Sequence, residues 1–265
     1  MRNPLALILA LASVPRLAHA QGPQPPETLA SWTTPALGLD SAPAAGGSVS
    51  SPHAVQWYEA AAVFGLVAAS SALDDAVRDY TQDHRSAGKD DVAAVFRRMG
   101  QPEVYATVGL GTLLTGFIAK DGGIQRAGGR ITASLITAGA ASSALKFMVG
   151  RERPSASTDP FEFAPFSGNV SFPSGHTTMA FALAASVSDE IHAWPVSVAL
   201  YGAATLTGWS RINDNEHWLS DVLGGAAVGI TSAKIMDGHW TIFGLGQPHF
   251  LADPHGVTVS MSASF

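Results

Sequence analysis

The 265-residue sequence contains no cysteine and little charge, with Asp, Glu, Lys and Arg together making up 14% of it. The missing thiols exclude disulfide frameworks, thiolate zinc sites, iron–sulfur clusters and cysteine nucleophiles. Soluble domains carry roughly 25% charged residues, so a chain this poor in charge must bury most of its helical surface or expose it to lipid. Basic residues are the scarcer sign, 15 against 21 acidic, and the formal net charge of −6 disfavours a nucleic-acid partner held by bulk electrostatics. An apolar fraction of 46% argues against a disordered chain, and the length suits one sizeable domain without a second large catalytic one.

Long apolar runs are also scarce. Residues 104–119 and 131–145 fall short of the roughly 20 needed to cross a bilayer, and 191–210 reaches that length but contains His192 and Pro195. The expectation is therefore an all-α fold, a compact bundle of about six helices with the active site at one end, with membrane embedding left open. Helical patterning falls at 55–80, 90–99, 103–119, 128–149, 176–191 and 194–209, with a seventh stretch at 216–236. Ahead of these, Arg2, the apolar stretch from Leu5 to Ala12 and the small residues Ala18 and Ala20 read as a signal peptide, 1–20, cleaved after Ala20. Residues 21–52, rich in Pro, Ala, Gly and Ser, read as a flexible tether. Residues 53–237 form the helical domain and 238–265 a tail. In that tail Val257, Val259, Met261, Ala263 and Phe265 alternate with small polar residues, the period of a short β-strand. The export signal places the protein in the periplasm or the cell-envelope membrane, where ATP and reduced nicotinamide are scarce.

Polar chemistry concentrates in three separated segments. In the first, Lys146 and Arg153 are seven residues apart, a spacing that returns to one helical face and could place two cations on an oxyanion. In the second, Pro173-Ser174-Gly175-His176 precedes an apolar run, as at a helix N-terminus whose free N–H groups bind anions and whose glycine admits the ligand. His176 stands where it could pass a proton to a leaving group. In the third, His217 and Asp221 are four apart, on one face of a helix, so the carboxylate could fix the imidazole tautomer, with Arg211 just upstream. Each segment alone has a bland reading: helix-end cations, a Ser-capped helix, a structural His–Asp pair. Together, in so charge-poor a chain, they point to phosphoryl transfer.

The combination Lys146-x6-Arg153-Pro154, Pro173-Ser174-Gly175-His176 and Ser210-Arg211-x5-His217-x3-Asp221 resembles the three-part signature of the type 2 phosphatidic acid phosphatase superfamily, which is shared with vanadium haloperoxidases. No motif position departs from it, and the surrounding helices extend the likeness over residues 54–236. The resemblance implies that His217 attacks phosphorus to form a phosphohistidine, with Asp221 orienting it. It implies that His176 protonates the leaving alkoxide and then activates water. Lys146, Arg153 and Arg211, with the Ser174 hydroxyl and the Gly175 N–H, would hold the phosphoryl oxygens. Arg151 lies outside the motif and is expected behind the site.

The function so implied is a metal-independent phosphatase that needs no cofactor and hydrolyses phosphomonoesters, foremost lipid phosphates such as phosphatidate or isoprenyl (pyro)phosphate. Its partner is a phosphorylated substrate, a lipid phosphate or a soluble phosphomonoester, with contact to a membrane. Two alternatives stay open: a vanadate-dependent haloperoxidase and a non-catalytic helical envelope protein. Phe161, Phe163 and Phe166 mark a candidate lid or acyl-contact wall in 155–172, or ordinary loop packing. Asp74-Asp75 and Asp90-Asp91 are expected to cap helices.

Overall fold

Apolar stretches separated by capping residues produce eight α-helices among the described residues. These are α1 (Trp57–Ser70), α2 (Asp74–Asp83), α3 (Ala87–Met99), α4 (Pro102–Ala119), α5 (Gly122–Val149), α6 (Gly175–Ile191), α7 (Trp194–Asn213) and α8 (Leu219–Met236). A computed structural model describes residues 52–242 and the backbone of 245–253 and 256–263. The expected signal peptide and nearly all of the tether lie outside the described residues, as does Phe265.

Several helix ends differ from expectation, each for a local reason. The stretch expected as one helix over 55–80 is α1 and α2 joined by a 3₁₀ turn at Ser71–Leu73. At that junction the Ser70 and Ser71 hydroxyls donate to the carbonyls of Val67 and Ala68, competing with the backbone ladder. Helix α5 starts six residues earlier than expected, because the Asp121 carboxylate caps the N–H groups of Gly123 (2.8 Å) and Ile124 (3.0 Å). Its Gly128 is interior, where α4 passes: a Cβ there would lie 2.3 Å from Leu113 N. Helix α5 stops at Gly150, which has φ +59° and where a Cβ would lie 1.8 Å from Ala164 O, so conformation and space both require glycine.

Helix α6 is central, packed on α5, α7 and α8. Its buried positions are all Ala, Ser or Thr, so neighbouring backbones come close. One buried apolar cluster joins Tyr105, Ile131, Leu135, Ala138 and Ala182, and another joins Ala180, Ala184 and Ala204. The α6–α8 contact is closest at Gly229, where a Cβ would lie 2.3 Å from Thr178 O. The expected C-terminal strand is β4 (Gly256–Ala263), antiparallel to β3 (Leu245–Asp253). That ribbon continues through β2 (Trp240–Ile242) to β1 (His53–Val55), so the tail shares a sheet with the segment opening the helical region.

One buried ionic node ties the helices at the end where the motifs lie. Arg151, 2% exposed, sits between Asp74 and Asp221, both fully buried. Its Nη2 donates to Asp74 Oδ2 (2.7 Å), and its Nη1 donates to Asp221 Oδ1 (2.8 Å) and to Ser220 Oγ (2.7 Å). Its Nε donates to Pro160 O (2.9 Å). Asp74 in turn accepts from Ser220 N (2.8 Å) and Ser220 Oγ (2.6 Å). Asp74 is thus no helix cap, as the sequence suggested; it is the anchor that fastens α2 to α8. Asp90 likewise looks away from its own helix end, accepting from Asn213 Nδ2 (2.8 Å) and Arg85 Nε (3.0 Å).

Two outcomes follow for stability, both readable by thermal or denaturant unfolding in detergent. Gly229→Ala should cost about 1–3 kcal/mol by forcing α6 and α8 apart, whereas Gly65→Ala, where a Cβ meets nothing within 4 Å, should be neutral or mildly stabilising. Arg151→Met should cost about 3–5 kcal/mol, because it strands two buried carboxylates.

Candidate active site

Three helix termini meet at this end of the bundle. Lys146 lies in the last turn of α5, the N-terminus of α6 begins at Gly175, and Arg211 lies in the last turn of α7. The segment preceding α8 supplies His217. The pairing expected for Lys146 and Arg153 on one helical face does not occur, since α5 ends between them and Arg153 follows on an irregular segment. Lys146 Nζ donates to the carbonyls of Val170 (2.5 Å) and Pro173 (2.6 Å), fastening α5 to the strand of chain that leads into α6.

Ser174 is the N-cap of α6, so Pro173 lies just ahead of the helix rather than in its first turn. Ser174 is fully buried; its N–H donates to Asp221 O (2.9 Å) and its hydroxyl accepts from Thr177 Oγ1 (2.9 Å). A Cβ on Gly175 would meet no neighbour nearer than Lys146 Cε at 3.7 Å, so packing does not demand glycine there. The space in front of the helix N-terminus is open to a ligand. His176 is seated tightly: at Gly100, which ends α3, a Cβ would come within 2.6 Å of its Cδ2.

His217 does not share a helix with Asp221, contrary to expectation. Helix α8 begins at Leu219, with Trp218 as N-cap, and His217 precedes the cap. The two still meet, because Asp221 in the first turn reaches back: its Oδ2 accepts from Trp218 N (3.0 Å) and lies 3.5 Å from His217 Nδ1. Ser171 Oγ also donates to Oδ2 (2.5 Å). Burial works against the charge of Asp221, but His217, Arg151 and Ser171 outweigh it and hold the carboxyl below its usual range. Burial likewise lowers His217, against the pull of Asp221, and leaves its imidazole neutral at pH 7. His176 falls from 6.5 to about 4, mainly through desolvation and then through the charge of Arg211, with His217, Lys146 and Arg153 adding to it.

The structure therefore brings Lys146, Arg153, Ser174, Gly175, His176, Arg211, His217 and Asp221 to one end of the bundle. Four buried nitrogens there lack a close hydrogen-bond partner: His217 Nδ1, which faces Asp221 at 3.5 Å, and His176 Nε2, Arg153 Nε and Arg211 Nε, which face no acceptor. Buried polar atoms are seldom left so, and orphaned donors of this kind mark a place for an anion. Two acids that sequence reasoning passed over complete the surroundings. Glu216 accepts from Arg153, and Asp214 accepts from Arg211 Nη1 and Arg97 Nη1, each at 2.9 Å. Their signal was in the sequence, as two acids inside a cation motif of a charge-poor chain. Phe161, Phe163 and Phe166 are each about half exposed or more, and Phe166 meets Phe147 edge-on at 5.3 Å.

Residues 127–239 match the PAP2 superfamily model. The chain is 43% identical over 98 residues to a lipid A 1-phosphatase of Porphyromonas gingivalis, a stretch covering 36% of this chain and 19% of that protein. It is 36% identical over 101 residues to a lipid A 1-phosphatase of Rhizobium johnstonii, covering 36% of this chain and 41% of that one. The chain thus spans less than half the length of these curated relatives. Among solved structures, a transmembrane PAP2 type phosphatidylglycerolphosphate phosphatase from Bacillus subtilis aligns with a TM-score of 0.55 at 21% identity, covering 68% of this chain and 95% of that one. At that identity the likeness is one of fold. The stretch that matches the PAP2 superfamily model, residues 127–239, holds all three motifs.

Proposed function

We propose that the protein is a phosphatase that hydrolyses the monoester of a phosphorylated lipid through a covalent phosphohistidine at His217. The observation that carries this reading is the cluster of unpartnered buried donors, His176 Nε2, Arg153 Nε and Arg211 Nε, around the open N-terminus of α6. The curated relatives, named lipid A 1-phosphatases, support a lipid substrate.

His217 Nδ1 faces Asp221, which leaves Nε2 free to attack phosphorus. As the N–P bond forms, the bond from phosphorus to the lipid oxygen breaks, and that oxygen takes the proton that His176 acquires when the phosphoryl dianion binds beside it. A water then gives its proton to His176 and attacks phosphorus, the N–P bond breaks, and phosphate leaves with His217 neutral again. Lys146, Arg153 and Arg211 hold the equatorial oxygens, and the Gly175 N–H points its helix-end dipole at them. Four cationic or dipolar groups supply the charge stabilisation that a divalent ion supplies elsewhere.

We infer membrane contact from the surface. Trp57–Asp83 and Gly122–Val149 are each long and apolar enough to cross a bilayer, and the first is almost entirely unburied. Trp57 is 75% exposed, Phe64 74% and Leu66 70%, large apolar side chains that point outward on opposite sides of α1. With the export signal expected from the sequence, the site would open on the non-cytoplasmic side.

The purified protein in detergent should release phosphate from phosphatidate and from a lipid A analogue, resist EDTA and be inhibited by vanadate. His217→Ala should abolish the release, whereas a requirement for added divalent metal would overturn the mechanism. The free imidazoles are neutral at pH 7, so kcat/KM should fall on the acid side only below the ordinary histidine range near 6.5. The same depressed values make the unfolded chain bind more protons than the native one between pH 6.5 and about 4, so stability should fall as pH drops through that window. Desolvation is the larger cause of the depressed His176, and the cations around it add to that; a phosphoryl dianion entering the cradle offsets those cations, so binding of inorganic phosphate should take up a proton. Calorimetry in buffers of different ionisation enthalpy reads that uptake directly.

A further inference from the structure

Glu216, immediately before His217, lies between the two guanidiniums assigned to phosphate. Its Oε2 accepts from Arg153 Nη1 and stands 3.8 Å from Arg211 Nη2. Arg211 turns its Nη1 to Asp214, which also holds Arg97, so the rim of the site is an alternating row: Arg97, Asp214, Arg211, Glu216, Arg153. The two acids are not equivalent. Asp214 has a side chain 13% exposed and is gripped at 2.9 Å from both sides. Glu216 has a side chain 31% exposed, with a route to solvent.

The backbone allows only the carboxylate of Glu216 to move. Its N–H donates to Arg211 O (3.0 Å), and the preceding Asn215, in the left-handed region at φ 56°, is tied by Arg78 Nε (3.1 Å) and to Pro154 O (3.3 Å). The side chain can therefore swing out without disturbing His217.

Resting on the phosphatase reading above, we propose that Glu216 is a place-holding anion for the phosphoryl group. In the free protein it occupies the position between Arg153 and Arg211, offsets the repulsion of two neighbouring guanidiniums and keeps both forks aimed at one point. A phosphoryl dianion, with three equatorial oxygens, displaces the singly charged carboxylate; a singly charged anion gains too little to do so. As phosphate leaves, the carboxylate returns, which makes product release an exchange rather than a bare desorption. Glu216 is thus a positioning residue that sets selectivity for dianionic phosphoryl groups and the rate of product loss.

The test is hydrolysis of p-nitrophenyl phosphate in detergent with inorganic phosphate as competitor, on the wild type, Glu216→Gln and Glu216→Asp. Glu216→Gln keeps the size and an accepting oxygen but removes the charge. Its phosphate Ki should fall at least about tenfold, the factor of one charge-assisted hydrogen bond, with KM falling alongside and kcat falling as release becomes limiting. Glu216→Asp, with a shorter reach, should lie between, and it decides the matter should the Gln variant not fold. A residue that merely braced the loop would raise KM and Ki when altered, so the direction separates the two roles. Unchanged or weakened phosphate inhibition in the variants, with an active wild type, overturns the place-holder and leaves the phosphatase reading intact. A wild type that neither hydrolyses the ester nor binds phosphate by calorimetry overturns both.

Discussion

A single guanidinium buried between two carboxylates is the constraint on which the site depends. Arg151 joins Asp74 on α2 to Asp221 on α8, and Asp221 is also the group that faces His217. Burying three charges is costly, and an apolar replacement of the same shape would often be no less stable. What the node supplies is position. Asp221 has one oxygen committed to Arg151, leaving Oδ2 for Ser171, Trp218 N–H and the imidazole. A carboxylate so held cannot rotate away from His217, and it keeps a negative charge against the imidazole Nδ1.

Around that anchor the helices act mainly as holders of their own ends. The C-terminal turns of α5 and α7 deliver Lys146 and Arg211, and the N-terminus of α6 delivers backbone N–H groups and His176. These ends converge because the helices approach closely through small residues: Gly225 would place a Cβ 2.7 Å from Ser174 O, and Gly208 one 2.7 Å from Val222 Cγ1. The aromatic Trp218 is fully buried, with the guanidiniums of Arg151 (5.5 Å) and Arg78 (5.9 Å) over its ring and its Nε1–H donating to Glu152 O (3.0 Å).

The residue types of the site were legible in the sequence, but their means of convergence were not. Spacing put His217 and Asp221 on one helix; in fact Asp221 reaches back across a helix start, which brings the same pair together by capping geometry. Spacing likewise put Lys146 and Arg153 on one face, although Gly150 in its left-handed conformation ends the helix between them. Asp74 was read as a local cap because nothing near it in sequence needs a carboxylate. Its partners Arg151 and Ser220 lie 77 and 146 residues away, a separation that a reading of local pattern cannot bridge. Glu216 escaped notice because motif positions, rather than the residues between them, directed the search.

The distribution of charge also bears on where the site sits relative to lipid. At the far end of the bundle Arg130 pairs with Glu190 and Lys234 with Asp189. At the near end lie Arg78, Arg97, Arg153, Arg211 and their acids. On α5 the charged markers of the two ends, Arg130 and Lys146, are sixteen residues apart, about 24 Å along the axis. That falls short of the roughly 30 Å hydrocarbon thickness of a bilayer by an amount that the long side chains at the two ends can cover. The exposed side chains of α1 and α4 include Phe64, Leu66, Leu114, Phe117 and Ile118. On the proposed membrane placement the phosphoryl cradle therefore lies at headgroup depth, with the Phe147–Phe166 pair beside it at the acyl boundary. A phosphate ester borne on a lipid would meet the site without leaving the bilayer, which gives the scarcity of charge elsewhere in the chain a single physical reason.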